Sequence, residues 1–369
     1  MTRGDDDAPL VRTCLVVGTG LIGTSVALAL RRHGVVVHLA DRDPAAARQA
    51  AQLGAGTLDP PAEQVDLAVV AVSPSATAEV VSGLLAGNVA ATVVDTAAVK
   101  DGVLRAVAAT VGPAPHFVGT HPMAGGERSG PGAARADLFE GRPWAVSSAG
   151  AEERSLTRVR TLLSLCGAVA VEMDAADHDA AVALVSHVPQ VAASLVAARL
   201  AEGADGALAL TGQGLRDVTR VAASDPDLWV DILVANAEPV ARILTELRQD
   251  VDAVVGALHE VAEDAEWART SLREVLVRGN AGRARLPGKH GGRSTAYAIV
   301  PVVLADRPGE LARLVVDVGA AGVNIEDIRI EHSPGQPVGL VELAVAPGAQ
   351  TGLAAALEGL GWVVHAGGA

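Results

Sequence analysis

The sequence predicts an α/β fold of the doubly wound parallel-sheet type over its first half, then an all-α region, then a small α+β unit. Three observations carry this. From residue 13 to about 171 short apolar runs alternate with helix-patterned segments, as when crossover helices join parallel strands. Past Asp174 the strand signals stop and helical periodicity continues to about Asn280. From Tyr297 a strand, helix, strand, strand, helix pattern runs to about Ala366. A chain of 369 residues exceeds what one hydrophobic core usually organises. The expected division is an acidic, disordered tail over 1–11, a nucleotide-type domain over 12–173, a helical domain over 174–282, a linker over 283–295 and a small domain over 296–369.

Strands of the first domain are expected at 14–17, 35–39, 67–71, 92–94, 116–118, 144–146 and 168–171. Gly18-Thr19-Gly20-Leu21-Ile22-Gly23 follows the first and opens a helix, the Rossmann fingerprint of a dinucleotide site. Its glycines allow a tight turn, admit a pyrophosphate to the backbone and let the helix pack on the strand. Free N–H groups and the helix dipole at that N-terminus favour the phosphates. Asp41 ends the second strand, where a carboxylate can bond both ribose hydroxyls and repel a 2′-phosphate, so NAD is expected as cofactor. The adjacent Arg42 is the residue that could instead receive such a phosphate.

Half of the residues are hydrophobic, and the net charge is −14 with a pI near 5.1. The basic residues are dispersed, which opposes a phosphate-tracking surface and argues against nucleic acid as partner. Neither a signal-peptide pattern nor an apolar run of membrane-spanning length is read from the chain. Cys14 and Cys166, the only cysteines, cannot build a disulfide framework or a thiolate zinc site, and a reducing cytoplasm is expected.

In the helical region Asp174 is the expected N-cap, and Pro189 should kink the first helix by freeing the carbonyl of Val185. Val240, Ile243, Leu244, Leu247, Val251, Val254 and Leu258 share one helix face, suited either to packing within the domain or to a homodimer interface. Gly, Arg and Pro accumulate over 278–293, which reads as a linker.

Chemistry concentrates after the fifth strand, in Gly119-Thr120-His121-Pro122-Met123-Ala124-Gly125-Gly126-Glu127-Arg128. Ligands gather at strand ends of this kind in doubly wound sheets. The segment resembles prephenate and arogenate dehydrogenases, whose motif is His-Pro-(Met/Ile)-Ala-Gly followed shortly by Glu. The resemblance extends through Val94-Asp95-Thr96-Ala97-Ala98-Val99-Lys100, Asp177-His178-Asp179, Val185-Ser186-His187-Val188-Pro189, Gly214-Leu215-Arg216-Asp217-Val218-Thr219-Arg220, Ser224-Asp225-Pro226 and Trp229. It implies NAD-dependent oxidation and decarboxylation of a cyclohexadienyl acid, with His121 as the base that takes the hydroxyl proton. Arg216 and Arg220, four apart, are expected on one helix and one face; the resemblance implies that Arg220 grips a substrate carboxylate, a bidentate task suited to guanidinium. Arg216, Asp217, Glu127, Trp229, His187 and Gln190 are implied to wall or charge-balance that pocket.

Two positions depart from the family pattern. Ala98 stands where a serine is usual, and Gln190 where many members carry a second histidine. One lost hydroxyl removes about 0.5–1.5 kcal/mol of hydrogen bonding, which retunes the substrate more readily than it abolishes the reaction. Prephenate, arogenate and 4-amino-4-deoxyprephenate all stay open as substrates. A 3-hydroxyacid dehydrogenase is disfavoured, because the lysine its helical domain would need is missing between Asp174 and Asn280. A non-catalytic protein that binds NAD and an amino acid is the alternative from another class.

The C-terminal pattern resembles an ACT domain through Asp306-Arg307-Pro308-Gly309 and Gly322-Val323-Asn324-Ile325. This implies an amino-acid effector, tyrosine being the expected one, held by Asp306, Gly309, Asn324 and Ile325.

Overall fold

A computed structural model of the chain describes residues 10–125, 128–286, 297–332 and 338–365. Nearly all of the acidic tail, Glu127 and most of the expected linker lie outside the described residues. Val11, assigned to the tail by the sequence, is instead buried in the core, and Arg12 N donates to Asp66 at 2.9 Å. The chain divides into two compact units, Met1–Arg248 and Gln249–Ala369.

The first unit holds a seven-stranded sheet: β1 (Thr13–Val17), β2 (Val36–Ala40), β3 (Leu67–Val70), β4 (Val93–Asp95), β5 (Phe117–Pro122), β6 (Pro143–Ser147) and β7 (Val169–Glu172). Its order is β2-β1-β3-β4-β5-β6-β7. Crossover helices α1 (Leu21–Arg32), α2 (Pro44–Gln52), α3 (Pro74–Ala86) and α4 (Asp101–Val111) make the first five strands parallel. Their apolar runs are buried on both faces, in one core around Val16, Leu30 and Trp144 and another around Ala68, Val93 and Phe117.

The all-parallel expectation fails at β6, which pairs antiparallel with β5 and parallel with β7. Among the described residues, the segment between β5 and β6 has a 3-10 turn, Pro131–Ala133, and no crossover helix to return the chain to the starting edge. β6 therefore begins where β5 ends. A further helix, α5 (Glu153–Leu165), connects β6 to β7.

Next comes a continuous helical segment formed by α6 (Ala175–Val182), a π-helical turn (Ala183–His187) and α7 (Val188–Leu200). Asp174 is the N-cap residue, but its side chain makes no capping bond; its carbonyl accepts from His178 N instead. Pro189 sits in the first turn of α7, and the interruption expected there takes the form of the π turn just upstream. This segment is long and apolar enough by composition to cross a membrane, yet it buries His178, Asp179, His187 and Gln190. A short helix α8 (Asp205–Leu208), then α9 (Gln213–Thr219), α10 (Pro226–Ala235) and α11 (Ala237–His259) follow. The apolar stripe of α11 is divided: Val240, Ile243 and Leu244 pack with Ala183 and Val188, whereas Val251 and Leu258 are exposed.

The second unit contains the rest of α11 and α12 (Ala265–Arg283), so the first residues of the expected linker are helical. Gly279 and Gly282 do not end that helix, and Arg278 pairs with Asp250 at 2.6 Å. Beyond it lie β8 (Ala298–Ala305), α13 (Glu310–Ala320), β9 (Asp327–His332), β10 (Val338–Val345), α14 (Gln350–Gly359) and a short β11 (Val363–Val364). The antiparallel order β11-β8-β10-β9 gives a ferredoxin-like βαββαβ unit. Two helices cover a core of Val302, Leu314, Val341, Leu343, Leu353 and Trp362.

Candidate active site

The parallel strands end at one edge, and the chain order reverses between β1 and β3, which opens a crevice there. Val17, Gly18, Gly20, Asp41, Arg42, Ala71 and Ser73 line a cleft of about 360 Å³ at this point. The three glycines of the turn have separate duties. Gly18 adopts φ +95°, and a Cβ on it would meet Ala71 O at 2.3 Å; a Cβ on Gly23 would lie 1.9 Å from Gly18 O. A Cβ on Gly20 would meet nothing within 4 Å, so the backbone faces open space at the start of α1, where no side chain caps the helix. That is the cradle a pyrophosphate fits. Leu21 and Ile22 pack against the core.

Asp41 closes the other end of the cleft. Thr19, itself buried, donates its hydroxyl to Asp41 Oδ2 at 2.8 Å, and Asp43 N donates to Oδ1 at 2.8 Å. Burial alone would raise this carboxyl, but bonds from Thr19 and Asp43 and the charge of Arg42 outweigh it and hold the group below its usual value. A fixed anion with unused lone pairs suits a ribose diol and opposes a 2′-phosphate. Replacing Asp41 by alanine is expected to weaken NAD binding about tenfold to a hundredfold, corresponding to ~1.5–3 kcal/mol for a charged hydrogen bond, with NADP binding much less affected. Titration calorimetry with both nucleotides measures this.

β5 carries His121 at the same edge, two residues beyond Gly119. It is a strand residue paired with Ala145 of β6, not the loop residue its glycine-rich neighbourhood suggested. The strand beneath it is tightly held. Asp95, at the end of β4, accepts from Thr120 N at 3.0 Å and Ala97 N at 3.1 Å and forms a fully buried ion pair with Lys100. Gly119 leaves room for the lysine stem, whose Cδ would lie 3.3 Å from any added Cβ. Trp144 Nε1 donates to Thr120 Oγ1 at 3.0 Å.

Against this strand end stands α6. His121 Nδ1 lies 3.0 Å from His178 Nε2, and His178 Nδ1 lies 2.8 Å from Asp179 Oδ1. Asp179 also accepts from Lys100 N at 2.8 Å and Asp101 N at 2.9 Å, at the N-terminus of α4. Burial would raise this carboxyl, but the bonds from His178 and those two amides win and hold it below its usual value. His121 is pushed the other way for an imidazole: burial first, and then the neighbouring His178, Lys100 and His187, bring it well below 6.5 and hence keep it neutral at physiological pH.

A third histidine, His187, completes the cluster. Asn236 Nδ2 donates to Asp179 O at 2.8 Å and to His187 Nδ1 at 3.0 Å. His187 therefore keeps its proton on Nε2 and is a donor there. Burial pushes its pKa down to about 4, with His178 adding to the effect and Asp179 opposing it. Trp229 meets the His187 ring edge-on at 6.0 Å. Trp229 also lines a cavity of about 340 Å³ together with Gln190, Ser194, Ala222, Ser224 and Leu233. Gln190 is 6% exposed and lines that cavity.

The arginine helix differs from expectation. α9 ends at Thr219, so Arg220 opens a 3-10 turn (Arg220–Ala223) and is not on one regular helix with Arg216. Both arginines are exposed, as is Asp217, whose carboxylate accepts from Gln213 Nε2 at 2.7 Å. Ala98, between Asp95 and Lys100 in the sequence, supplies no hydroxyl. In the second unit Asp306 and Gly309 (φ +90°) precede α13, whereas Asn324 and Ile325 follow it. Eleven helical residues, about 16 Å, separate these two pairs, so one chain does not bring them together.

His178, Asp179, Lys100, Asp95 and Asn236 had no assigned role in the sequence reading. A His-Asp pair at the opening of the first helix past the sheet was the available signal for two of them. Lys100 and Asp95 read as an ordinary strand end followed by a helix start.

A glycine turn and ribose-type carboxylate, on the same sheet edge as a neutral, half-buried imidazole facing a helical half, define an NAD-dependent dehydrogenase. Similarity to known proteins places it further. The family model "Prephenate dehydrogenase, nucleotide-binding domain" matches residues 26–172, and "Prephenate dehydrogenase, dimerization domain" matches 174–276. The probable prephenate dehydrogenase NovF of Streptomyces niveus is 43% identical, over 91% of this chain and 95% of its own. The prephenate dehydrogenase of Bacillus subtilis is 27% identical, over 86% and 88%. Among solved structures, prephenate dehydrogenase of Aquifex aeolicus with hydroxyphenyl propionate and NAD+ superposes at TM-score 0.62 with 27% identity, covering 73% of this chain and 98% of that one. The chain belongs to the prephenate dehydrogenase family.

Proposed function

We propose that this chain oxidises and decarboxylates prephenate to 4-hydroxyphenylpyruvate, on the route to tyrosine, as a cytoplasmic homodimer. The carrying observation is His121: a neutral, half-buried imidazole whose Nδ1 is engaged by His178, at the strand edge that also forms the nucleotide cleft. Bound NAD supplies the acceptor for the hydride leaving ring C4. His121 Nε2 takes the proton of the C4 hydroxyl as the carbonyl forms. The bond from ring C1 to its carboxylate then breaks, carbon dioxide departs, and the electron pair aromatises the ring while the carbonyl oxygen gains a proton as a phenol. A base whose pKa lies below the working pH stays ready to accept.

Substrate contacts are assigned to His187 through its Nε2 proton, to Gln190 and Trp229 from their shared cavity, and to Arg220 with Arg216 and Asp217 as the charged rim. The exposed apolar residues of the helical half, among them Leu184, Val185, Leu195 and Val234, support pairing with a second copy. Gln190 is a neutral carboxamide that offers both donor and acceptor, which keeps arogenate and 4-amino-4-deoxyprephenate as the alternative substrates. The ferredoxin-like unit is proposed as an ACT domain binding tyrosine across two copies, because one chain separates Asp306 and Gly309 from Asn324 and Ile325.

A single absorbance assay for NADH tests these assignments: the purified protein with each of the three acids, with NAD or NADP, with and without saturating tyrosine. Turnover is expected with prephenate and NAD and is expected to fall when tyrosine is added. NAD binding without NADH from any of the acids would identify a sensor instead of an enzyme.

A further inference from the structure

The hydrogen bonds behind His121 form a directed chain, and its direction has a chemical consequence. Asp179 accepts three donors. Its Oδ1 takes Lys100 N and the His178 ring nitrogen Nδ1, and its Oδ2 takes Asp101 N. A carboxylate so placed can only accept, so His178 carries its proton on Nδ1. His178 Nε2 is then a lone pair facing His121 Nδ1 at 3.0 Å, and the only arrangement that makes this a hydrogen bond puts a proton on His121 Nδ1. With Nδ1 donating, a neutral His121 has its remaining lone pair on Nε2.

We infer that Asp179 and His178 are positioning residues for His121: through two linked hydrogen bonds the carboxylate fixes the tautomer that leaves His121 Nε2 free to accept a proton. This rests on the proposed role of His121 as the base. Rigidity favours it, since His178 is 1% exposed and its partner is pinned by two backbone amides at the start of α4. The same carboxylate therefore ties the helical half to the sheet and sets the chemistry of the imidazole. An orienting carboxylate acting through an imidazole has a known logic in nucleophilic triads, where loss of its charge leaves geometry intact and puts the proton on the wrong nitrogen.

Asp179→Asn makes the inference testable. An amide offers one accepting oxygen and one donating nitrogen where the site presents donors to both atoms. If the amide nitrogen faces His178, the relay reverses, His178 Nε2 becomes the donor, and His121 is forced to carry its proton on Nε2. The expected result is a fall in kcat of about 10²–10⁴-fold with KM changed no more than about threefold. His178→Asn is expected to fall as far, and the double variant no further than either single one.

The direct readout is the tautomer. In protein labelled with 15N-histidine, with the residue 121 signals identified by their loss in His121→Asn, neutral His121 of the unaltered protein is expected to be protonated at Nδ1, and in Asp179→Asn at Nε2. A wild-type protein with the proton on Nε2 overturns the inference without any variant having to fold. So does an Asp179→Asn protein that is less stable but keeps the Nδ1 tautomer and its turnover, the signature of a purely structural tie. Absence of turnover with all three acids alongside the expected tautomers would count against the proposed function alone.

Discussion

Replacing His121 by asparagine is expected to lower kcat by about 10²–10⁴-fold, the range general-base removal costs, while NAD binding persists. The nucleotide cleft does not include this residue, so the loss should fall on chemistry. The pH profile gives a finer check. The base must be unprotonated, so kcat/KM declines as pH falls through its pKa in the free enzyme. The groups acting on it are His178 from α6, His187 from the π turn and Lys100 at the start of α4, with Asp179 bonded to His178 and Asp95 paired with Lys100. Burial first, and then the neighbouring His178, Lys100 and His187, depress the imidazole well below 6.5. The acid limb is therefore expected below the ordinary histidine value of about 6.5, with activity retained on crossing that pH from above. Measuring kcat/KM between pH 4.5 and 8 decides it; an acid limb at or above the ordinary value removes His121 from the role.

The legible and illegible parts of this protein divide along a physical line. Gly18, Gly20, Gly23 and Asp41 could be read because local backbone demands select their residue types: a left-handed φ, an open approach, a close packing and a carboxylate at a strand end. Strand and helix order followed from apolar runs and periodicity for the same local reason. The reversal at β6 was hidden, since direction depends on what a 20-residue connection lacks and not on the strand's own residues. His121 was found by its motif, but its supporting groups were not. Asp179 lies 79 positions from Lys100, and Asn236 lies 57 from Asp179. Nothing local in a helix opening on Asp-His-Asp reveals that one carboxylate caps a distant helix. Arg220 was misplaced because a spacing of four assumes unbroken α geometry, and α9 stops one residue short of it.

Removing the Asp95 carboxylate is expected to be the most damaging single change to stability outside the apolar core. Asp95→Ala leaves the Lys100 ammonium, 1% exposed, without its ion-pair partner, and leaves Thr120 N and Ala97 N without their acceptor. Breaking a buried pair from one side costs about 3–5 kcal/mol. Lys100→Met should cost less, because Asp95 keeps two backbone donors and methionine preserves most of the stem volume beside Gly119. Adding Lys100→Met to Asp95→Ala should restore part of the loss, since no buried charge then remains. Urea midpoints for the four proteins test this order. The pH dependence separates charge burial from packing. Burial pulls Lys100 below 10.5 against the opposing pull of Asp95 and Asp179, so between its folded and unfolded values the unfolded chain binds more protons and stability rises with pH. Without Asp95 the folded value drops further and that window widens toward neutrality. The Asp95→Ala deficit is thus expected to shrink between pH 7 and 9.5, whereas a deficit constant across that range would mean that lost hydrogen bonds and packing, and not the stranded ammonium, carry the cost.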